Sequence, residues 1–185
     1  MSGPILRSDV ARTKALRNGL TGGRLDSVVY GQTAYGGYAE AQDGDIQLVE
    51  LDLVLRLSTS VVVLTPEQDG KIQGLAASPV EPAYDGEDSL AVPAGPPWDS
   101  LIGRQIRQVG LGWYRSWSGQ PESLWGVRLT FELGRPVVIV LGELDDQQNP
   151  MYHPDSLVVL FDGSDLGRYR TLGGTGLVGD RIAFE

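Results

Sequence analysis

The feature that most limits what this chain can become is a strand pattern that occurs twice. From Val49 to Leu57 every odd position is apolar (Val49, Leu51, Leu53, Leu55, Leu57), and Glu50, Asp52 and Arg56 fall between them. Side chains alternate across a strand, so this spacing predicts one buried and one wet face. Ser58-Thr59-Ser60 then predicts a turn into Val61–Leu64, a β-branched run of the kind that strands covered on both faces carry. The same order of events returns later. Trp125, Val127, Leu129, Phe131 and Leu133 alternate with Gly126, Arg128, Thr130 and Glu132; Gly134-Arg135-Pro136 makes a turn; Val137–Leu141 is the continuous run.

Shifted by 76 residues, positions 48–67 lie on 124–143 without a gap, and Leu48/Leu124, Leu53/Leu129, Leu57/Leu133, Val61/Val137, Val62/Val138 and Glu67/Glu143 are identical. Upstream, Gly23-Arg24 with Val29 matches Gly103-Arg104 with Val109 at a shift of 80. We read a duplicated unit, roughly residues 20–78 and 100–165. The expected fold is mainly β, an antiparallel sandwich or flattened barrel built from the two units. The whole chain, 1–185, is expected to form one pseudo-symmetric domain, since either half alone has a thin core.

Between the units, residues 79–100 hold Pro79, Pro82, Pro93, Pro96 and Pro97 with Glu81, Asp85, Glu87, Asp88 and Asp99, which predicts an extended or irregular connector. A short N-terminal helix is expected over 8–18, with Ser8 as its cap and Asn18-Gly19 as its stop. Further strands are expected at 157–161, 168–172 and 181–184. Asp43-Gly44, Asp69-Gly70, Asp85-Gly86 and Asp162-Gly163 are turn dipeptides.

The chain has no cysteine, which removes disulfides, thiolate chemistry and Cys-based metal sites and fits a reducing, cytoplasmic setting. Its longest core apolar runs are far short of the roughly 20 residues a membrane span needs. The net charge of −9 is uneven. Residues 1–24 carry five basic side chains against Asp9, whereas residues 39–99 carry twelve acids against Arg56 and Lys71. An acidic body repels phosphate backbones, so no nucleic-acid partner is expected; a basic protein is the fitting partner, and a homo-oligomer through edge strands stays open.

Chemical motifs are few. Gly174-Thr175-Gly176-Leu177-Val178-Gly179 spells a dinucleotide fingerprint, but no room follows for the helix, strand and ribose-binding acid that such a site needs. His153 is the only histidine, and a His/Asp/Ser set can be spelled from His153, Asp155 and Ser156; a triad is recognised by geometry and not by spelling. One imidazole with Asp145, Asp146 or Asp155 nearby is a weak metal signal. Glu67 and Glu143 occupy matching positions of the two units, where pseudo-symmetry can bring them near a common axis. No catalytic, cofactor or metal residue is assigned. All four tryptophans lie within 98–125; Trp113 and Trp125 fall on core-facing positions, while Trp117 stands beside a turn. The binding candidates are Trp117, Tyr114, Tyr30 and Tyr35 (with Tyr38 in the same Gly-rich stretch) and His153.

These residues favour a non-enzymatic binding module of inhibitor or immunity type that uses an acidic, loop-rich face. The alternatives are a small-ligand protein or enzyme with a pocket between the units, walled by Tyr30, Trp113, Trp117 and His153, and a subunit of a larger assembly.

Overall fold

The computed structural model describes residues 3–36, 44–84, 87–161, 167, 169 and 182–185. Tyr38, the Gly174–Gly179 stretch, the expected strand at 168–172 apart from Tyr169, and the dipeptides Asp85-Gly86 and Asp162-Gly163 lie outside the described residues, as does Asp43 of Asp43-Gly44. Helix α1 (Val10–Leu20) is followed by strands β1 (Leu25–Thr33), β2 (Ile46–Val49), β3 (Leu53–Leu57), β4 (Ser60–Asp69), β5 (Ile72–Ser78), β6 (Ser89–Pro93), β7 (Ile106–Tyr114), β8 (Ser123–Phe131), β9 (Val137–Leu141), β10 (Glu143–Leu144), β11 (Pro150–Met151), β12 (Leu157–Leu160) and β13 (Ala183–Phe184). Two antiparallel sheets form, in the orders β5-β4-β3-β1-β6 and β13-β7-β8-β9-β12-β2, with β10 and β11 as a separate ribbon.

The chain is therefore mainly β, and the two sheets pack as a sandwich. Leu53, Leu55, Leu64 and Leu75 of the first sheet share one core cluster with Leu111, Val127, Leu129, Ile139 and Val159 of the second. Burial of this apolar surface, at about 25 cal/mol per Å², is the main force holding the sheets together.

The two aligned segments form hairpins at corresponding places: β3–β4 in the first sheet and β8–β9 in the second. Both continuous runs are covered on both faces. On β4, Val62 and Leu64 join the main core, while Val63 joins Val29 and Val54 in a small cluster on the other face, with Val61 and Tyr84 packed against it. The expected alternating strand over Val49–Leu57 is not one strand. It breaks at residues 50–52, so that β2 pairs with β12 in the second sheet while β3 pairs with β1 and β4 in the first. At the break the backbone of Leu51 and Asp52 still exchanges bonds with Gly31 of β1, at 3.0 and 2.7 Å, and side chains supply the rest. Gln32 donates to the Leu48 carbonyl (3.0 Å) and accepts from the Glu50 amide (2.8 Å). Glu50 accepts from the Thr33 amide and hydroxyl at 2.9 and 2.8 Å, and Asp52 accepts from the Thr65 hydroxyl at 2.6 Å. Residues 46–49 thus form an edge of the second sheet, whose other strands lie between Ile106 and Phe184.

The Pro-rich connector is more regular than expected. Glu81 grips Arg56 through two 2.8 Å contacts on the outer face of the first sheet, and Tyr84 lies over Gly31, whose missing Cβ makes the room. Residues 89–93 then form β6 beside β1. A single 3-10 turn (Trp98–Leu101) drives Trp98 into the core, where its ring meets Phe161 edge-on at 5.1 Å.

Helix α1 also differs from expectation. Asp9, not Ser8, caps it by accepting from the Arg12 amide at 3.1 Å. It runs through Gly19 because Leu20 is fully buried and Gly19 presses on Val62, where a Cβ would lie 3.2 Å away.

Candidate functional site

Strand directions fix which loops share an end of the sandwich. At one end β1 finishes, β4 turns into β5 through Gly70-Lys71, β6 begins, and the β7–β8 and β9–β12 connections lie. At the other end the Gly23-Arg24 and Gly103-Arg104 segments pair with each other through the Arg24–Gln105 bridge, close to the β8–β9 turn.

The two ends differ in charge. The first gathers Glu50, Asp52, Glu67, Asp69, Glu87, Asp88, Glu122, Glu143, Asp145, Asp146 and Asp155, against Arg7, Lys71 and Arg115. Some of these acids are used internally. Glu50 and Asp52 hold the strand break, Glu122 pairs with Arg7 at 2.8 Å, and Asp145 accepts from the Gln147 and Asn149 amides at 2.9 and 2.8 Å. Glu67, Asp69, Glu87, Asp88 and Asp146 have no side-chain hydrogen bond or ion pair among the described residues. The second end carries Arg24, Arg104, Arg107 and Arg135 with Asp26, Asp45, Asp99 and Glu132.

Four of the five sequence candidates lie at the acidic end. Tyr35, just past β1, is 83% exposed, and Trp117, in the β7–β8 loop, is 56% exposed. Ser116 anchors the Trp117 loop by accepting from the Gln73 amide at 3.0 Å. Tyr114 packs against the core, with its ring 4.6 Å from that of Trp125. Trp125 in turn stacks on Tyr152 at 4.4 Å and donates to the Gln73 carbonyl at 3.0 Å, and Tyr152 donates to the Gln73 side chain. Tyr114 is thus part of an aromatic floor beneath the loops rather than a free contact.

Tyr30 is a correction. It is 1% exposed and inside the sandwich. Its hydroxyl donates to Gln47 at 2.6 Å and accepts from the Trp98 indole at 2.6 Å, while Gln47 donates to the Pro96 carbonyl at 2.6 Å. Burial pushes the phenol well above its ordinary pKa. Both the donor and an acceptor site of this hydroxyl are used inside the sandwich, where they tie the connector to the core, so the ring is not offered to a partner. Trp113 is buried as well. Tyr30, Trp113, Trp117 and His153 therefore do not wall one pocket.

His153 is half-buried beside β10. Its Nε2 lies 3.7 Å from Glu143, and its Nδ1 lies 3.3 Å from the Ser156 hydroxyl and 3.4 Å from the Asp155 amide. The Ser156 hydroxyl donates to the Gly142 carbonyl at 2.7 Å. Nδ1 therefore faces an amide N–H and acts as acceptor, and the Nε2 proton faces Glu143; this tautomer is assigned from the network. A nucleophilic serine must aim its proton at the base, and Ser156 aims its own at a carbonyl. Asp155 contributes its amide, and its carboxylate is exposed. Glu67 lies on β4 opposite Gly74 and Glu143 on β10 opposite Met151, and no hydrogen bond or ion pair joins them among the described residues. No group of three His, Asp or Glu side chains placed to share a metal is found among the described residues. No helix among them is long and apolar enough to cross a membrane.

Comparison with protein-family models, curated proteins and solved structures returned no match.

One feature escaped sequence reasoning. A cleft of about 440 Å³ opens at the arginine-bearing end, lined by Asp45, Pro97, Ser100, Leu101, Arg104, Leu133, Arg135, Val137 and Phe161, with Gly134. Its signal was the dipeptide Gly-Arg: Gly103-Arg104 and Gly134-Arg135 each place an arginine after a glycine with positive φ (78° and 129°), the backbone conformation that favours glycine and sharp turns.

Proposed function

We propose that this chain is a non-catalytic protein-binding module, of inhibitor or immunity type, that receives a basic protein on its acidic loop end. The observation that carries the reading is the division of labour among the acids at that end. Glu50, Asp52 and Asp145 are consumed by the fold, whereas Glu67, Asp69, Glu87, Asp88 and Asp146 have no partner among the described residues and lie close in topology to the exposed rings of Tyr35 and Trp117. Unpaired charge of one sign steers an oppositely charged partner and sets its register. Exposed aromatics on anchored loops supply the apolar contact that holds it. The orientation of Ser156 and His153 supports a role without catalysis.

The test is capture of partners by the tagged protein from a lysate of its source cells at low and high salt. The Glu67→Gln/Asp69→Asn/Glu87→Gln/Asp88→Asn variant is run in parallel. The expected outcome is a basic protein held at low salt, weakened at high salt, and bound at least about tenfold less well by the variant. Tyr35→Ala and Trp117→Ala are each expected to weaken the same complex by about tenfold or more. A partner that the four-fold variant retains fully would sink the acidic-end reading.

A further inference from the structure

On the reading that the acidic end receives a basic protein, we infer that this partner docks by adding an extended, lysine- or arginine-bearing strand to the outer edge of β6. The edge strands of the two sheets are not alike. β13 has two residues, β2 is held at Leu48 by the Gln32 side chain, and β5 is met by Ile5, whose amide donates to the Leu75 carbonyl at 2.9 Å. β6 is five residues long and pairs with β1 alone.

The groups that this edge offers follow from its register. The Asp88 carbonyl accepts from the Ala34 amide, and the Ala94 amide donates to the Val28 carbonyl, both at 3.0 Å. Bonded and open pairs alternate along an antiparallel ladder. The even-numbered residues of β6 therefore bond to β1, and Ser89, Ala91 and Pro93 turn their backbone groups outward. Pro93 contributes a carbonyl only. Ala91 and Pro93 are exposed, and Leu90 is 38% exposed, so the edge is open to a strand laid beside it.

Charge selects the occupant. Glu87 and Asp88 lead into β6, exposed and without a side-chain partner among the described residues, and the Ala34–Asp88 bond brings the exposed Tyr35 next to them. In strand addition main-chain bonds supply affinity and side chains supply specificity. Acids at the head of the edge favour cationic side chains and disfavour a second copy of this acidic chain. Self-pairing is also short of bonds: two copies in antiparallel register about Ala91 would set Ser89 opposite Pro93, which has no N–H to return.

The test is NMR and amide hydrogen exchange on the isotope-labelled full chain with three short synthetic peptides. One alternates lysine and valine, one has glutamate in place of lysine, and one is the lysine peptide with every backbone amide N-methylated. The lysine peptide is expected to shift the Ser89 and Ala91 amide signals in a saturable way and to slow their exchange. The glutamate and N-methylated peptides are expected to bind at least about tenfold more weakly. Ala91→Pro removes one outward donor and leaves the bonds to β1 in place; it is expected to weaken the lysine peptide about tenfold, with the Tyr30 and Gln32 amide signals unchanged. The N-methylated peptide poses the same question on the parent fold, should the proline variant not fold. Equal binding of the lysine and glutamate peptides, or shifts confined to residues outside β6, would overturn the inference. So would a mass that rises with protein concentration and stays monomeric in Ala91→Pro, which gives the edge to a second copy. Lysate capture separates this inference from the reading it rests on. A basic partner lost by Ala91→Pro supports strand addition. A partner kept by Ala91→Pro but lost by the Glu67→Gln/Asp69→Asn/Glu87→Gln/Asp88→Asn variant overturns strand addition and leaves the acidic-end reading standing; no basic partner for the parent overturns both.

Discussion

The two aligned hairpins break in opposite places. In the first, the leading strand is split at residues 50–52 into β2 and β3, and the following strand β4 runs unbroken for ten residues. In the second, the leading strand β8 runs unbroken for nine residues, and the following strand stops at Leu141. The difference shows what similar strand patterns leave undecided. Alternation sets which residues face the core; the sheet to which a stretch belongs is decided by polar side chains and close approaches far away in sequence. At the first break Gln32, Thr33 and Thr65 add side-chain bonds to the two backbone bonds that Gly31 keeps with Leu51 and Asp52. At the second, Gly142 exchanges bonds with Ser156, its amide donating to the Ser156 carbonyl at 2.9 Å. A Cβ there would lie 2.6 Å from the Met151 carbonyl. Its counterpart, Pro66, sits where β4 extends past β3, so its missing N–H is not missed on that side.

The sharpest way to break the comparison is to truncate equivalent positions, Val49 and Trp125, both of which are fully buried. Trp125 lies in the unbroken strand, stacks on Tyr152 and bonds to Gln73. Trp125→Ala is expected to cost about 3–5 kcal/mol, the range for large aromatic truncations in packed cores. Val49→Ala, on the short edge strand β2, is expected to cost about 2 kcal/mol. Urea denaturation of both variants measures the gap. Equal losses would mean that the unbroken strand holds no more of the sandwich than the split one.

Glycine 142 gives a smaller effect with a clearer cause. Gly142→Ala places a methyl against the backbone of β11 and is expected to cost about 1–3 kcal/mol, as overpacked sites do. Pro66→Ala restores an N–H where β4 has no β3 neighbour and is expected to change stability by less than about 0.5 kcal/mol. Thermal or urea unfolding reads both. A Pro66 variant as damaged as the Gly142 variant would show that the two strand positions carry the same constraint.

The layered β architecture was legible because alternation at Leu53–Leu57 and Leu129–Phe131, and the continuous run Val137–Leu141, report burial directly. The split at Glu50-Leu51-Asp52 was not, since those three residues keep the alternation unbroken while the side chains of Glu50 and Asp52 reach to Thr33 and Thr65 and the backbone of Leu51 and Asp52 stays on Gly31. Tyr30 was misplaced for a similar reason. A Gly-rich setting reads as surface, and the partners that bury it, Gln47 and Trp98, come from β2 and the connector. At the acidic end, Tyr35 and Trp117 were visible because a lone aromatic beside turn residues has nothing local to pack on. The cleft was hidden because its floor consists of ordinary core residues, and only the topology brings Arg104 and Arg135 to one rim.

The smallest effect sharpens the comparison at one aligned pair. Arg56 of the first hairpin corresponds to Glu132 of the second, a reversal of charge, and each finds its own partner. Arg56 takes both oxygens of Glu81 at 2.8 Å, fastening the connector to the first sheet, whereas Glu132 meets Arg107 of the neighbouring strand once, at 3.1 Å. All four side chains are partly exposed, so solvent screens both pairs, and exposed pairs contribute about 0.2–1 kcal/mol. Two-point geometry places Glu81→Gln toward the upper part of that range and Glu132→Gln toward the lower. The Arg56 hydrogen bond holds the Glu81 carboxyl below its ordinary value. A depressed carboxylate stabilises the fold above its unfolded pKa, and that contribution is lost as pH falls through the folded one. The melting-temperature gap between the parent and Glu81→Gln is therefore expected at neutral pH, to shrink as pH drops below the carboxylate range, and to narrow in high salt. A gap that persists unchanged in acid would assign the loss to packing of the Glu81 stem, leaving the connector held by Tyr84 and β6 rather than by charge.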